Sequence, residues 1–205
     1  MQWQMAMVKH FSHRHELCSF QVQEEDDEII ICSGCDLELM MNSGTSAYKC
    51  SKSKCQFYLH DLCFELPRQI KHKSHPQHPL TLISNPPYEY GEFKCDASFE
   101  YGSNCFAFHC VHCKYDLPLQ CAALPETLGH PHHHEHTLTL RYSSLPPNHD
   151  QGKRIMCDLC GGSSPEGCWV YCCKDCGYTS DLQRSINAEA DDQDYHQHDD
   201  HSISS

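Results

Sequence analysis

The chain has few of the apolar residues from which a protein of its length would build one ordinary core. Only 39% of its 205 residues are hydrophobic, and only two of them are tryptophan. Small domains with thin cores are usually stabilised by disulfides or by bound metals. The composition therefore predicts several small cross-linked domains instead of one large hydrophobic core.

Long apolar runs are also missing from the sequence. No stretch of 18 or more apolar residues occurs, which argues against a transmembrane helix. Residues 1–10 lack the apolar run of a secretory signal peptide. We therefore expect a cytoplasmic protein, with peripheral membrane or nuclear placement as alternatives. In a reducing compartment, cysteines are expected to bind metals and not to form disulfides.

Basic residues are scarce beside acidic ones. The chain has 15 Lys and Arg against 28 Asp and Glu, a formal net charge of −13. Such a chain gains little from phosphate contacts, so nucleic acid is not an expected partner. The same charge opposes attraction to anionic lipid headgroups. A protein is the partner that this composition favours.

Cysteine and histidine, by contrast, are abundant, with 17 and 18 copies. They are densest within residues 48–63, in the pattern Cys-x4-Cys-x4-His-x2-Cys that ends at Cys63, and a Cys-x2-Cys pair precedes them at 32–35. Zinc takes four nitrogen or sulfur donors in a tetrahedron, and paired spacings let one turn present two of them. The sequence therefore predicts zinc as the cofactor.

The donors recur in three similar units. A His-x-Leu element returns after 63 and then 58 residues, and a paired-cysteine turn returns after 63 and then 62 residues. An aromatic-x-Cys element also occurs in each unit. The recurring positions are His15, His78 and His136 for the first element, and Cys32, Cys95 and Cys157 for the second.

We interpret the units as small zinc-stabilised α+β fingers made of short strands, knuckle turns and loops. Alternating Leu-Thr-Leu predicts strands at 80–82 and 138–140, and the only helical turns are expected after the last cysteine of a unit, near Phe64 and Ala122. The predicted boundaries are 10–72, 73–130 and 131–186. Residues 187–205 are acidic and polar, which predicts a disordered tail.

The opening His-x-His-x-Leu at 13–17, the Leu-Pro after the last cysteine, and the donor order together resemble a known family. It is the phorbol-ester/diacylglycerol-type zinc finger, and most closely its divergent C-one form in plant cysteine/histidine-rich proteins. The similarity extends from residue 13 to about 184. It implies two zincs per finger, held by interleaved donors, and a role in intracellular signalling or trafficking.

The resemblance implies a ligand set for each finger. The first finger would use His15, Cys50, Cys55 and His72 in one site, and Cys32, Cys35, His60 and Cys63 in the other. His13 is the alternative to His15, which is chosen because it aligns with His78 and His136. The second would use His78, Cys110, Cys113 and His130, and would retain only Cys95 and Cys121 of its other site, where Ser98 and Pro118 replace two donors. The third would use His136, Cys173 and Cys176, and Cys157 and Cys160, with Asp181 and Arg184 at the remaining positions.

Several residues are alternatives for the missing donors. Cys105, His109 or His112 could complete the second finger. In the third finger, Asp181 could supply an oxygen, Cys168 or Cys172 could substitute for a thiolate, and His196 or His198 could close the His136 site.

No catalytic constellation is evident, because the zinc pattern uses the Cys and His spacings. We therefore expect a non-enzymatic scaffold that docks to a protein. Diacylglycerol or membrane is the alternative partner. The resemblance implies membrane-inserting loops with apolar tips and a Gln-Gly pair, but no Gln-Gly pair lies between the knuckles of the first two units. The apolar tips available are Leu39-Met40-Met41, Phe99 and Tyr101.

Two rival functions deserve comparison with this hypothesis. A cross-braced ubiquitin ligase or chromatin reader would need another Cys-x2-Cys pair soon after Cys63, where only histidines follow. A thiol-disulfide oxidoreductase could use the pair at 32–35 or 157–160, but it would need a strand-to-helix placement that lowers a thiol pKa.

Overall fold

The computed structural model describes residues 7–21, 29–39, 46–129, 136–142 and 155–182. In these residues the chain forms short antiparallel strands and a few single helical turns. Contacts divide it into two compact units. The N-terminal unit comprises residues 1–95 and 100–122, and the C-terminal unit comprises 96–99 and 123–205. No helix in the described residues is long and apolar enough to cross a membrane.

The first sheet lies in the N-terminal unit and has the strand order β1-β2-β3-β4. Leu17, Ala47 and Leu59 bury its inner face. The neighbours of Leu59 in its strand are only half-buried, as expected where one face of a strand contacts the core. The elements are β1 (Met7–Val8), β2 (Leu17–Gln21), β3 (Ser46–Cys50), β4 (Tyr58–His60) and helix α1 (Asp61–Phe64).

The second sheet belongs to the same unit and has the order β10-β9-β6-β5. Leu80 and Leu82 alternate inward and are fully buried, which confirms the strand predicted there. A two-stranded ribbon, β7 with β8, follows a 3-10 turn at Glu89–Gly91. The elements are β5 (Gln69–Ile70), β6 (Leu80–Ile83), β7 (Glu92–Lys94), β8 (Tyr101–Ser103), β9 (Ala107–Cys110), β10 (Tyr115–Pro118) and helix α2 (Leu119–Ala122).

The third sheet lies in the C-terminal unit and has the order β11-β12-β15-β16. Leu138 and Leu140 are buried along β12, so the second predicted strand is also confirmed. Trp169 and Tyr171 are the largest fully buried side chains around it. The elements are β11 (Thr127–Gly129), β12 (Thr137–Arg141), β13 (Ile155–Met156), β14 (Ser163–Ser164), β15 (Val170–Cys172) and β16 (Thr179–Asp181).

The first strand of each sheet begins a few residues before the unit boundary expected from the sequence. β1, β5 and β11 start at residues 7, 69 and 127, and each pairs with the strand that follows a histidine-rich connection. The helices also begin earlier than expected. Both α1 and α2 start two residues before the last cysteine of the unit, so Cys63 and Cys121 lie within them.

The last two strands of each sheet pair in the same register. In each of the three sheets, one residue three positions before a cysteine (Cys50, Cys110 or Cys173) pairs with a residue on the following strand. The register therefore gives His60, Pro118 and Asp181 equivalent places, as the sequence alignment predicts. The pairs are Ala47 with His60, Ala107 with Pro118, and Val170 with Asp181.

Contacts within the N-terminal unit join its two sheets. The backbone N–H of Phe106 donates to the carbonyl of Gly34 at 2.7 Å, and the Phe106 and Phe11 ring centroids are 5.6 Å apart. The side-chain amide of Gln120, in α2, donates to the carbonyl of Cys35 at 2.7 Å. The second sheet thus directly supports a cysteine turn of the first.

Candidate metal centres

The structure gathers cysteine and histidine side chains into compact clusters. Within each cluster the donor atoms all lie within 4.8 Å of one another, so one ion could contact all of them. We name the clusters by sheet. In the described residues they are cluster 1a (His13, His15, Cys50, Cys55), cluster 1b (Cys32, Cys35, His60, Cys63), cluster 2a (His75, His78, Cys110, Cys113), cluster 3a (His136, Cys173, Cys176) and cluster 3b (Cys157, Cys160, Asp181).

Cluster 1a joins the β1–β2 connection to the end of β3. The Nε2 atom of His13 lies 3.2 Å from Cys50 Sγ and 3.3 Å from Cys55 Sγ, and His15 Nδ1 lies 3.4 Å from Cys50 Sγ. A tetrahedral ion with zinc-like bond lengths would separate nitrogen and sulfur by about 3.5 Å. The donors therefore fit such an ion closely.

An aromatic contact orients the His13 ring. Its ring stacks on Phe57 with the centroids 4.2 Å apart. Burial lowers the pKa of His13, and the nearby charges of His15 and Arg14 lower it further. A lowered pKa favours the neutral imidazole, which is the form that binds a metal.

His72, which the resemblance assigns to this site, lies elsewhere. Its Nδ1 is 2.7 Å from Ser74 Oγ in the β5–β6 connection. His10 has the same arrangement in the β1–β2 connection, 2.6 Å from Ser12 Oγ. The two residues are counterparts at the start of successive sheets. The assignment is therefore corrected: β5 carries the chain into the second sheet, and His13 takes the fourth position.

Cluster 1b joins the first cysteine turn to β4 and α1. His60 Nδ1 lies 3.3 Å from Cys35 Sγ and 3.8 Å from Cys63 Sγ. Its other ring nitrogen, Nε2, lies 3.1 Å from the carbonyl oxygen of Glu38. A carbonyl can only accept, so Nε2 carries the proton and Nδ1 presents its lone pair to the sulfurs.

The three sulfurs of cluster 1b polarise one another. Hydrogen bonds from Cys35 and Cys63 lower the pKa of Cys32 far below its usual range. The bond to Cys32 raises the pKa of Cys35 to about 11, and the pKa of Cys63 is raised as well. These opposite shifts show that the three sulfurs lie close enough to share hydrogen bonds. A bound cation would displace the thiol protons.

A shared backbone turn presents the paired cysteines. In the first such turn, Cys32 N donates to Leu37 O and Asp36 N donates to Cys32 O, each at 2.9 Å. Cys157 and Cys173 begin turns with the same two bonds, at 2.7–3.1 Å. The residue four places after the first cysteine has a left-handed backbone in all three. The φ angles are 59° at Asp36, 69° at Gly161 and 78° at Gly177.

Cluster 2a repeats the plan of cluster 1a in the second sheet. His78 Nδ1 lies 3.2 Å from Cys113 Sγ. His75 is 8% exposed, and its buried Nε2 has no hydrogen-bond partner. A buried nitrogen without a partner is costly unless something else, such as a metal ion, engages it. His75 thus supplies the fourth donor of the described cluster, and the expected donor, His130, lies outside the described residues.

The other expected site of the second finger retains two sulfurs. Cys95 Sγ lies 3.6 Å from Cys121 Sγ, and both side chains are buried. Proline occupies the His60-equivalent position and has no donor. In the described residues, none of the expected substitutes joins these two cysteines in a cluster. The substitutes lie elsewhere: Cys105 is buried, His109 Nδ1 bonds Asp116 Oδ1 at 2.8 Å, and the His112 ring lies 4.8 Å from that of His78.

The third sheet brings together two three-donor clusters. Cluster 3a contains His136, Cys173 and Cys176, as expected, and cluster 3b contains Asp181 with the paired cysteines. Neither Cys168 nor Cys172 belongs to a described cluster. Arg184, His196 and His198 lie outside the described residues.

Sequence reasoning named His13 only as the alternative to His15, not as a donor beside it, and did not select His75. The signal was present, because each lies two or three residues before an expected donor, His15 or His78, and the two are 62 residues apart. Comparison of the chain with protein-family models, with curated proteins and with solved structures found no match. The function is therefore inferred from the donor geometry.

Proposed function

We propose that the protein is a zinc-binding module of three tandem fingers that serves as an interaction scaffold and has no catalytic turnover. The observation that carries this proposal is the pair of four-donor clusters, 1a and 1b, in one small sheet. Closed sites with four protein donors are typical of structural zinc. Mixed cysteine and histidine donors favour zinc over magnesium or calcium, which prefer oxygen.

The proposed zinc ions stabilise the fold. Clusters 1a and 1b together join the β1–β2 connection, the first cysteine turn, the end of β3 and α1. These segments share a small apolar core, and metal binding to such sites contributes folding free energy on the order of 10 kcal/mol. That contribution is comparable to the whole stability of a small domain, about 5–15 kcal/mol.

Two observations support a non-catalytic role. Clusters 1a, 1b and 2a have four protein donors each, which leaves a tetrahedral ion no open position for a substrate. The short helices α1 and α2 do not begin at a Cys-x2-Cys pair. An oxidoreductase would place its reactive thiol at a helix start, so the described helices give that rival no support.

Exposed aromatic side chains support docking to a protein. Tyr90 is 85% exposed and Tyr101 is 78% exposed, before and on the β7–β8 ribbon. Aromatic residues are enriched at protein interfaces. The sequence predicts an exposed apolar loop tip at residues 39–41. Leu39 is instead buried, and the other two residues lie outside the described part.

Metal stoichiometry tests the zinc assignment. We expect plasma mass spectrometry of the purified chain to find up to five zinc ions, one for each described cluster. His60→Ala and Cys50→Ser should each remove one ion. The matched control is Cys18→Ser, because this buried cysteine donates to the carbonyl of Lys49 at 3.7 Å and joins no described cluster. A folded chain without metal would contradict the proposal.

Liposome sedimentation tests the choice of partner. We expect no binding to neutral or anionic vesicles, with or without diacylglycerol, because the chain is strongly acidic. Diacylglycerol-dependent sedimentation that is abolished by Met40→Asp or Tyr101→Asp would replace protein docking by lipid binding. The control is Cys18→Ser, which leaves the exposed aromatic residues unchanged.

A further inference from the structure

Cluster 3b differs from the equivalent cluster of the first sheet in one donor. Asp181 has the register position of His60, and its Oδ2 lies 3.6 Å from Cys160 Sγ. Zinc with tetrahedral geometry would separate oxygen and sulfur by about 3.6 Å. Cluster 1b gains its fourth donor three residues later, at Cys63, whereas the residue three places after Asp181 is an arginine, which has no metal-binding atom.

The cysteine turn of cluster 3b is nevertheless fully formed. Cys157 N donates to Gly162 O at 2.7 Å, and Gly161 N donates to Cys157 O at 2.8 Å, as in the turn of cluster 1b. The N–H of Gly162 also points to Cys160 Sγ at 3.4 Å, which stabilises a thiolate. Three donors are thus positioned in advance.

The charge of cluster 3b equals that of cluster 1b. Three thiolates and a neutral histidine around a zinc ion give a net charge of −1. Two thiolates and the Asp181 carboxylate around a zinc ion give −1 with the three donors that the described residues supply. The missing component is therefore a neutral donor and not another anion.

The surroundings add to this negative charge and leave the site accessible. The carboxylate of Asp158 accepts a hydrogen bond from Thr179 N at 2.7 Å, beside the cysteine turn. Cys160 is exposed, unlike the three buried cysteines of cluster 1b. A ligand from solution can reach the ion here.

We propose that cluster 3b is an open zinc site whose fourth position binds a neutral nitrogen donor of the imidazole type, such as a histidine side chain of a docked protein. This inference rests on the proposed zinc-binding function and assigns one site through which docking occurs. The zinc bound there also exchanges more readily than the ions of clusters 1a, 1b and 2a, because three protein donors hold it where those clusters use four.

Cobalt substitution tests the open position. The full chain is loaded with Co²⁺ under reducing, oxygen-free conditions, and its visible absorption bands are recorded as imidazole is added. In Cys176→Ser, which lacks a donor of the other three-donor cluster, 3a, we expect a saturable change that corresponds to one cobalt per chain, with no loss of bound metal. Azide should bind at least about 10-fold more weakly, because it is an anion.

Variants assign the response to one cluster. Cys160→Ser should reduce the imidazole response of the unsubstituted chain by the share of one cobalt and remove one cobalt, whereas Cys172→Ser, in the same unit but outside the described clusters, should change neither. Cys176→Ser should remove a cobalt from cluster 3a and retain the response. Loss of the response in Cys176→Ser but not in Cys160→Ser would overturn the proposal.

Zinc transfer to a chromophoric chelator gives a second measurement. We expect the zinc of cluster 3b, identified by its absence in Cys160→Ser, to leave at least about 10-fold faster than the ions of the four-donor clusters, since changes even in the outer partners of a site alter metal affinity 10–100-fold. Cobalt bound at full stoichiometry with no imidazole response would refute the open site alone. A folded chain that binds no metal would refute the zinc-binding function itself.

Discussion

At the scale of single residues, the assignment of His13 or His72 to cluster 1a decides where one unit ends and the next begins. Both His13 and His72 precede a sheet-forming segment, but only His13 reaches the sulfurs of cluster 1a. His72 bonds a serine two residues away, as His10 does. The histidine nine residues after Cys63 therefore belongs to the connection between the first two strands of the next sheet. It is not a member of cluster 1a.

The two histidines are expected to respond differently to substitution. His13→Ala should remove one metal ion per chain, because it deletes a donor from a closed cluster. His72→Ala should leave the metal content unchanged, because His72 belongs to no described cluster and its Nδ1 bonds Ser74. Metal counting by plasma mass spectrometry, with circular dichroism to verify folding, makes the comparison. Metal loss on the His72 substitution alone would restore the assignment implied by the resemblance.

The paired cysteines could be predicted because the signal is local. Two donors separated by two residues are held by one turn, so their spacing alone indicates their partnership. The distant histidine could not be chosen in the same way. Its place depends on β1, β5 and β11, which have only two or three residues and no recognisable period. The pairing of those strands, which the sequence pattern does not reveal, selects His13 and His75.

At the scale of secondary-structure elements, the cysteine turn depends on one left-handed residue. Asp36 adopts this conformation at φ 59° in the first turn, and glycine adopts it at Gly161 and Gly177. Glycine occupies left-handed backbone at little cost, whereas other residues pay about 1–2 kcal/mol. The turns of the third sheet thus use the residue that builds them with least strain.

Gly161→Ala is expected to destabilise the C-terminal unit by about 1 kcal/mol, since alanine is strained at its φ of +69°. The matched control is Gly129→Ala in β11. At both glycines an added Cβ would meet nothing within 4 Å, so crowding does not distinguish them, and Gly129 has no positive φ. The control should be neutral or stabilising by about 0.5 kcal/mol.

Hydrogen exchange followed by mass spectrometry would measure both effects on the zinc-loaded chain. The opening free energy of amides in β12 and β15 reports on the stability of the C-terminal unit, in which both glycines lie. Equal effects from both substitutions would show that the left-handed conformation does not limit the stability of the turn.

At the scale of the whole molecule, the N-terminal unit is expected to fold as one body. Its two sheets each have a small core, and they are joined where Phe106 packs on Phe11 and bonds Gly34. Gln120 extends this connection to the carbonyl of Cys35, a donor residue of cluster 1b. Burial of a phenylalanine of this kind is worth about 3–5 kcal/mol, a large share of the stability of a small unit.

Metal removal should therefore unfold both sheets of the N-terminal unit together. A strong chelator is expected to eliminate the dispersed amide resonances of β3 and β9 at the same chelator concentration, because each sheet depends on the other as well as on its own ions. Phe106→Ala should separate the two transitions by weakening the contact. The control is Cys18→Ser, whose side chain lies in the first sheet but outside the joining contacts. If β9 keeps its dispersed resonances after β3 has lost them in the unsubstituted chain, the two sheets fold independently.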